Sequence, residues 1–111
     1  MTNLRLSAAA QSDLAEIKCY IAKELENPTA ALSVVGRITR DIRRLREYPL
    51  IGAPLRTIAD VETDYRFLTT GNYLTFYRVC GENVYVERVL YGRSDYLRIL
   101  LGDTLQDGND K

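Results

Sequence analysis

The sequence contains no histidine. The commonest general base and the commonest metal ligand are therefore both missing. Any chemistry has to come from arginine, tyrosine, lysine, carboxylates or hydroxyls, and neither a metal nor a cofactor is expected. Only two cysteines occur, Cys19 and Cys80, far apart and outside any Cys-Xaa-Xaa-Cys pattern. With no histidine to complete a zinc site, they are expected to be reduced core thiols. No apolar run approaches the ~20 residues that cross a bilayer, and no charged-then-apolar leader opens the chain. A cytoplasmic protein without membrane contact is the expectation. Net charge is absent too, with fifteen basic and fifteen acidic residues, which argues against indiscriminate nucleic-acid binding.

What is present fits one domain. The chain has 111 residues, 46% hydrophobic and 27% charged, enough for a single core in a soluble protein. Twelve of the fifteen basic residues are arginine, and eleven of these lie between Arg37 and Arg98, where eight acids leave a charge of +3. Arginine is the side chain suited to planar, bidentate contact with carboxylate or phosphate.

Residues Asn3 to Leu6 alternate as a short first strand. Ser7 suits an N-cap, and Ala10, Leu14, Ile17, Ile21 and Leu25 come after it at helical spacing. Asn27-Pro28 restarts the chain as cap and first helical residue, and Ala31, Val35, Ile38, Ile42 and Leu45 form a narrow apolar seam. The two helices should pack as an antiparallel hairpin. The opposite face carries Arg37, Arg40, Arg43, Arg44 and Arg46, which reads as a solvated face. Tyr65–Thr70, Tyr73–Val79 and Val84–Tyr91 have strand composition, with turns at Gly71-Asn72 and Cys80–Asn83. Ser94 is expected to cap a third helix from Tyr96 to Leu105.

The fold class is therefore α+β, in the order β-α-α-β-β-β-α, a helical hairpin on a small, mainly antiparallel sheet with a short C-terminal helix. Strand alternation predicts an aliphatic face (Leu74, Phe76, Val84, Val86, Leu90) claimed by the core. It leaves a half-exposed face bearing Tyr73, Thr75, Tyr77, Tyr85, Glu87 and Tyr91, rimmed by Arg56, Arg66 and Arg93.

Five elements in this order carry a resemblance. They are Asp-Leu-Xaa-Glu-Ile-Xaa-Xaa-Tyr-Ile-Ala (Asp13–Ala22), Asn-Pro-Xaa-Ala-Ala (Asn27–Ala31) and Leu-Xaa-Xaa-Xaa-Pro-Xaa-Xaa-Gly (Leu45–Gly52). Tyr-Leu-Thr-Phe-Tyr-Arg (Tyr73–Arg78) and Arg-Val-Leu-Xaa-Gly-Arg-Xaa-Asp (Arg88–Asp95) complete the set. Together they resemble the RelE/ParE superfamily of bacterial type II toxins, over about residues 4–101. The resemblance implies a toxin domain over residues 1–105; the polar tail that follows, 106–111, has nothing to bury and is expected to be disordered. The resemblance also implies a cognate antitoxin whose C-terminal segment wraps the toxin in a hetero-oligomer.

Two mechanisms diverge within that superfamily. RelE-like members cut messenger RNA on the ribosome, whereas ParE-like members bind and poison DNA gyrase. RelE-type nucleases commonly carry an arginine where this chain has Leu74, and some carry a lysine pair where Tyr65 and Phe67 stand. Tyr91 occupies the place of a histidine, and a neutral tyrosine with a reference pKa of about 10 is a poor base. The nuclease reading would rest on Arg56, Arg66, Arg93, Tyr91 and Tyr96. The ParE-like reading, which the depleted set favours, makes Arg66, Tyr73, Tyr77, Arg78, Tyr91, Arg93 and Asp95 a binding surface. It also offers the third helix to gyrase. An inactive toxin remnant is a further alternative. In any of these, an antitoxin with acidic and apolar anchors suits the arginines and tyrosines.

Overall fold

A computed structural model describes residues 2–102. The expected order of strands and α-helices is present, with one added strand. Strand β1 (Asn3–Leu6) precedes α1 (Ala8–Cys19) and α2 (Pro28–Arg43), and a two-residue strand β2 (Ala53–Pro54) interrupts the connector. Then come β3 (Arg66–Thr70), β4 (Tyr73–Cys80), β5 (Asn83–Tyr91) and α3 (Tyr96–Leu101). The sheet runs β1-β5-β4-β3-β2, with β1 parallel to β5 and every other pair antiparallel. Both hairpin loops have two residues and open with a glycine at positive φ, Gly71 at 57° and Gly81 at 61°. A side chain there would be strained.

The caps are those the sequence implies. The Ser7 hydroxyl accepts the Ala10 N–H at 2.9 Å and donates to the Glu87 carbonyl at 2.6 Å, so one residue starts α1 and ties it to β5. Asn27 Oδ1 accepts the Ala30 N–H at 3.0 Å, with Pro28 as the first helical residue. The α2 seam is buried at Ala31, Ile38, Ile42 and Leu45. The α1 stripe holds only as far as Ile21. Beyond Cys19 the helix widens into a π-turn, Tyr20–Glu24, closed by the Leu25 N–H on the Tyr20 carbonyl at 3.4 Å. A five-residue repeat rotates the next residues off the 3.6-residue stripe, and Leu25 faces solvent.

The faces of the sheet depart from simple alternation. Phe76 pairs with Arg88 but the next residue, Tyr77, pairs with Val86, so Glu87 is an extra residue in β5. Such a bulge inverts the alternation on either side of it. Val84 and Val86 before the bulge and Val89 after it join the core beneath the helices, together with Tyr77 and the partly buried Tyr73 and Val79. Phe76, Leu90 and Leu74 pack on the other side against Leu55, Val61, Tyr65, Tyr96, Leu97 and Leu100. The expected half-exposed tyrosine face is therefore corrected. The connector and α3 cover one side of the sheet and the helical hairpin the other, and Tyr77 is fully buried. The cysteines need correction as well, because Cys19 and Cys80 are free and exposed. None of the described helices is long and apolar enough to cross a membrane.

Gly52 is enclosed where the connector crosses the sheet. A Cβ built there would lie 2.6 Å from the Phe67 carbonyl oxygen and 2.7 Å from the Tyr77 hydroxyl. By contrast, a Cβ at Gly36, within α2, meets nothing within 4 Å. The same substitution should thus have opposite signs. Gly52→Ala is expected to lower unfolding free energy by about 1–3 kcal/mol through overpacking, and Gly36→Ala to raise it by ~1 kcal/mol. Urea denaturation of the two variants checks both.

Candidate functional site

The candidate residues divide between the two ends of β4. At the first end Tyr73 and Tyr91 are cross-strand partners whose rings meet edge-on, 5.8 Å apart at 62°. They border a groove of about 550 Å³ between this end of the sheet and α1, which Glu16, Ile17 and Tyr20 also line. Tyr91 is 44% exposed. Burial, then the neighbouring Tyr91 and Tyr20 phenols, push the Tyr73 hydroxyl above its ordinary pKa.

Asp13 lies at the base of this groove, 5% exposed. Its carboxylate accepts the Arg88 guanidinium bidentately, at 2.7 and 2.8 Å, and the Val89 backbone N–H at 2.9 Å. Charge-assisted bonds of this kind are the strong ones, and the Arg88 pKa rises mainly because of the bond to Asp13. The sequence reading assigns Asp13 no role, although a signal exists. Ala10, Asp13, Leu14 and Ile17 share one helical face, and a carboxylate within an apolar stripe requires a buried partner.

At the other end, arginines hold the connector. Arg66 donates to the Gly52 carbonyl at 2.6 Å and the Leu50 carbonyl at 3.3 Å. The Gly52 N–H in turn donates to the Tyr77 hydroxyl at 2.9 Å. Arg78 forks onto Asp64 at 3.0 and 3.1 Å and lies over the Tyr65 ring, 5.4 Å from its centroid. Arg56 is exposed and lines a groove of about 490 Å³ with Arg66, Glu62 and Asp64. Tyr65 lines this groove too, and of the groove's two carboxylates Asp64 is already taken by Arg78. Tyr73 and Arg78 are five residues apart on β4, about 17 Å at the antiparallel rise of ~3.4 Å per residue. The two ends are thus separate surfaces.

The turn after β5 differs from expectation in detail. Ser94 does not cap α3: its hydroxyl donates to the Tyr91 carbonyl at 2.6 Å. Asp95 is the N-cap residue, but its side chain makes no capping bond and instead approaches Arg98 at 3.4 Å. The tight turn uses the hydroxyl locally, so the capping position passes to the next residue. Tyr96 stacks on Phe76 at 5.3 Å and 30°, which makes it a packing residue of the second core. Tyr77, expected from the sequence on a binding surface, is likewise a core residue because the bulge places its register under the helices. Arg93 is exposed and makes no hydrogen bond among the described residues. The helix residues expected after Leu101, from Asp103 to Leu105, and the tail at 106–111 lie outside the described residues. Among the described residues no three His, Cys, Asp or Glu side chains converge on a metal-sized site.

Residues 4–96 match the model of the family described as ParE toxin of type II toxin–antitoxin system, parDE. The chain belongs to the ParE toxin family. It is a ParE-like toxin of the type II class, within the RelE/ParE superfamily. The chromosomal ParDE toxin–antitoxin system from P. aeruginosa contains a similar structure, with 25% identity and a TM-score of 0.69 over 82% of this chain and 96% of that one. A chain of the RelBE2 toxin–antitoxin complex from Mycobacterium tuberculosis is 24% identical, with a TM-score of 0.47 over 81% of this chain and 96% of that one. No curated protein matches the sequence.

The buried phenol of this ParE-family chain gives a pH prediction. Burial is the main cause that raises the Tyr77 pKa above 10.0, opposed by the Gly52 bond and the Arg66 charge. A raised folded-state pKa stabilises fully below the unfolded value and is lost as pH climbs through the folded one. Unfolding free energy should therefore fall above pH ~10. Tyr77→Phe should flatten that fall while lowering stability at pH 8 by about 1–3 kcal/mol, because the Gly52 N–H loses its acceptor. Urea titrations at pH 8 to 11 measure both effects.

Proposed function

We propose that this ParE-family toxin acts by binding, as an inhibitor of DNA gyrase, and that a cognate antitoxin neutralises it in a hetero-oligomer. The observation that carries this reading is that neither groove sets uncommitted arginines beside an accessible phenol. RNA cleavage without metal or histidine needs cations beside a proton donor at one phosphate. The groove of Tyr73 and Tyr91 is lined by carboxylates and no arginine, whereas in the groove of Arg56 and Arg66 the one tyrosine, Tyr65, is a half-buried ring under Arg78 whose pKa burial raises. Arg66 and Arg78 are also committed to the connector. The second groove does bring Tyr65 near Arg56 and Arg66. Arg66 is held by carbonyls, however, and the Tyr65 ring is covered by Arg78, so neither groove offers a phosphate free cations beside an open phenol. Tyr91, Arg93 and Asp95 remain suited to contact with a protein target, as does the outer face of α3, with Arg98 and Ile99.

For the antitoxin, the exposed face of α2 supports an acidic, partly apolar segment. Arg37, Arg40 and Arg44 recur at three- and four-residue spacing, which makes one row on a helix. Beside that row Tyr48, Leu50 and Ile51 expose an apolar groove of about 530 Å³. The P. aeruginosa relative is itself from a ParDE system.

Purified toxin is expected to inhibit gyrase supercoiling and to leave ribosome-bound transcripts uncut. Cuts at the A-site codon with supercoiling unaffected would assign it to the nuclease branch. Loss of neither would make it a remnant that retains only the fold. Replacing Arg37, Arg40 and Arg44 by serine should slow association with the antitoxin and weaken its salt dependence, as for rim charges that steer encounter. Stopped-flow association at two ionic strengths reads this directly.

A further inference from the structure

The groove between α1 and the Tyr73–Tyr91 end of the sheet has a chemistry of its own. Three tyrosines border it, Tyr20, Tyr73 and Tyr91, with the Tyr73 and Tyr91 rings meeting edge-on at 5.8 Å. Ile17 and Val89 give it an apolar floor. Its only charged lining residues are Asp13 and Glu16. Asp13 is saturated by Arg88 and the Val89 N–H, while Glu16 is exposed and has no ion-pair partner among the described residues. The Arg88 charge also reaches Glu16 but is already offset by Asp13, so the three groups together leave one net negative charge beside the tyrosine rings. Tyr73 stays a neutral phenol at physiological pH, because burial and its tyrosine neighbours raise its pKa.

From the combination of aromatic walls, an apolar floor and a single unpaired carboxylate, we infer that this groove receives an arginine or lysine side chain from a partner polypeptide. The cation lies against the tyrosine rings and pairs with Glu16. Aromatic faces attract such cations through their quadrupole, and the aliphatic stem of either side chain suits the Ile17 and Val89 floor. An acidic side chain would instead meet Glu16 with like charge and lose its hydration. The surface thus selects the opposite sign from the arginine row of α2, so a partner reading both would carry acids at one contact and a basic residue at the other. This assignment is independent of whether gyrase is the toxin's target.

The test is an NMR titration of the full chain with capped glycyl-arginyl-glycine, monitored at the tyrosine ring protons. The norleucine and citrulline counterparts, which keep length but not charge, serve as comparisons. Saturable shifts at Tyr20, Tyr73 and Tyr91 are expected, with the arginine peptide binding at least about threefold tighter than either neutral one. Glu16→Gln and Tyr91→Leu, both at exposed positions, should each weaken it about threefold. Unmoved ring shifts of buried Tyr77 verify that the variants remain folded. No shifts, shifts confined to Tyr85, or equal affinity for the three peptides would overturn the assignment.

Discussion

β1 stops at Leu6, yet β5 runs on to Tyr91, and the Asp13 carboxylate covers the strand edge that β1 leaves open. A bare N–H at that edge, under a helix and away from water, would cost about as much as a lost hydrogen bond. Ser7 takes the Glu87 carbonyl and Asp13 takes the Val89 N–H, so the first two turns of α1 serve as the next strand would. Arg88, bonded to the same carboxylate, neutralises it. The helical hairpin is thereby held at a set position on the sheet. That position in turn creates the groove beside Tyr91.

The Glu87 bulge lies within this clasp. It allows Val86 and Val89, three residues apart, to point into the same core, and it turns Leu90 to the second one. Two small cores result, one on each side of the sheet, where simple alternation would make a single core and an open tyrosine face. The tyrosines are distributed accordingly. Tyr77 is a beam of the first core, Tyr96 and Tyr65 pack in the second, and Tyr73 and Tyr91 stand at the groove.

Much of the fold was legible in the sequence because its signals are local. Ser7, Asn27-Pro28, the α2 seam and the two glycine turns each act over short stretches of chain, and each is where the residues imply. The unread features are non-local. A bulge depends on pairing across two strands, a π-turn on how the helix end meets its neighbours, and the partner of Asp13 lies 75 residues along the chain. The candidate site was legible in composition but not in grouping. Arg66 and Arg78 carry the right chemistry for phosphate, but the connector supplies carbonyls and Asp64 that engage them first. Arg66, Arg78, Arg88 and Arg98 are engaged within the fold, whereas the arginines of α2, with Arg56 and Arg93, stay exposed.

The central claim is that the Asp13–Arg88 clasp is one coupled unit on which the placement of α1 against β5 depends. A double-mutant cycle of Asp13→Ala and Arg88→Ala, read by urea denaturation at pH 7, tests it most directly. The account predicts a coupling free energy of about 1–3 kcal/mol, with Asp13→Ala the costlier single change because it also strips the Val89 N–H of its acceptor. Additivity within about 0.5 kcal/mol would contradict it, since independent sites behave in that way.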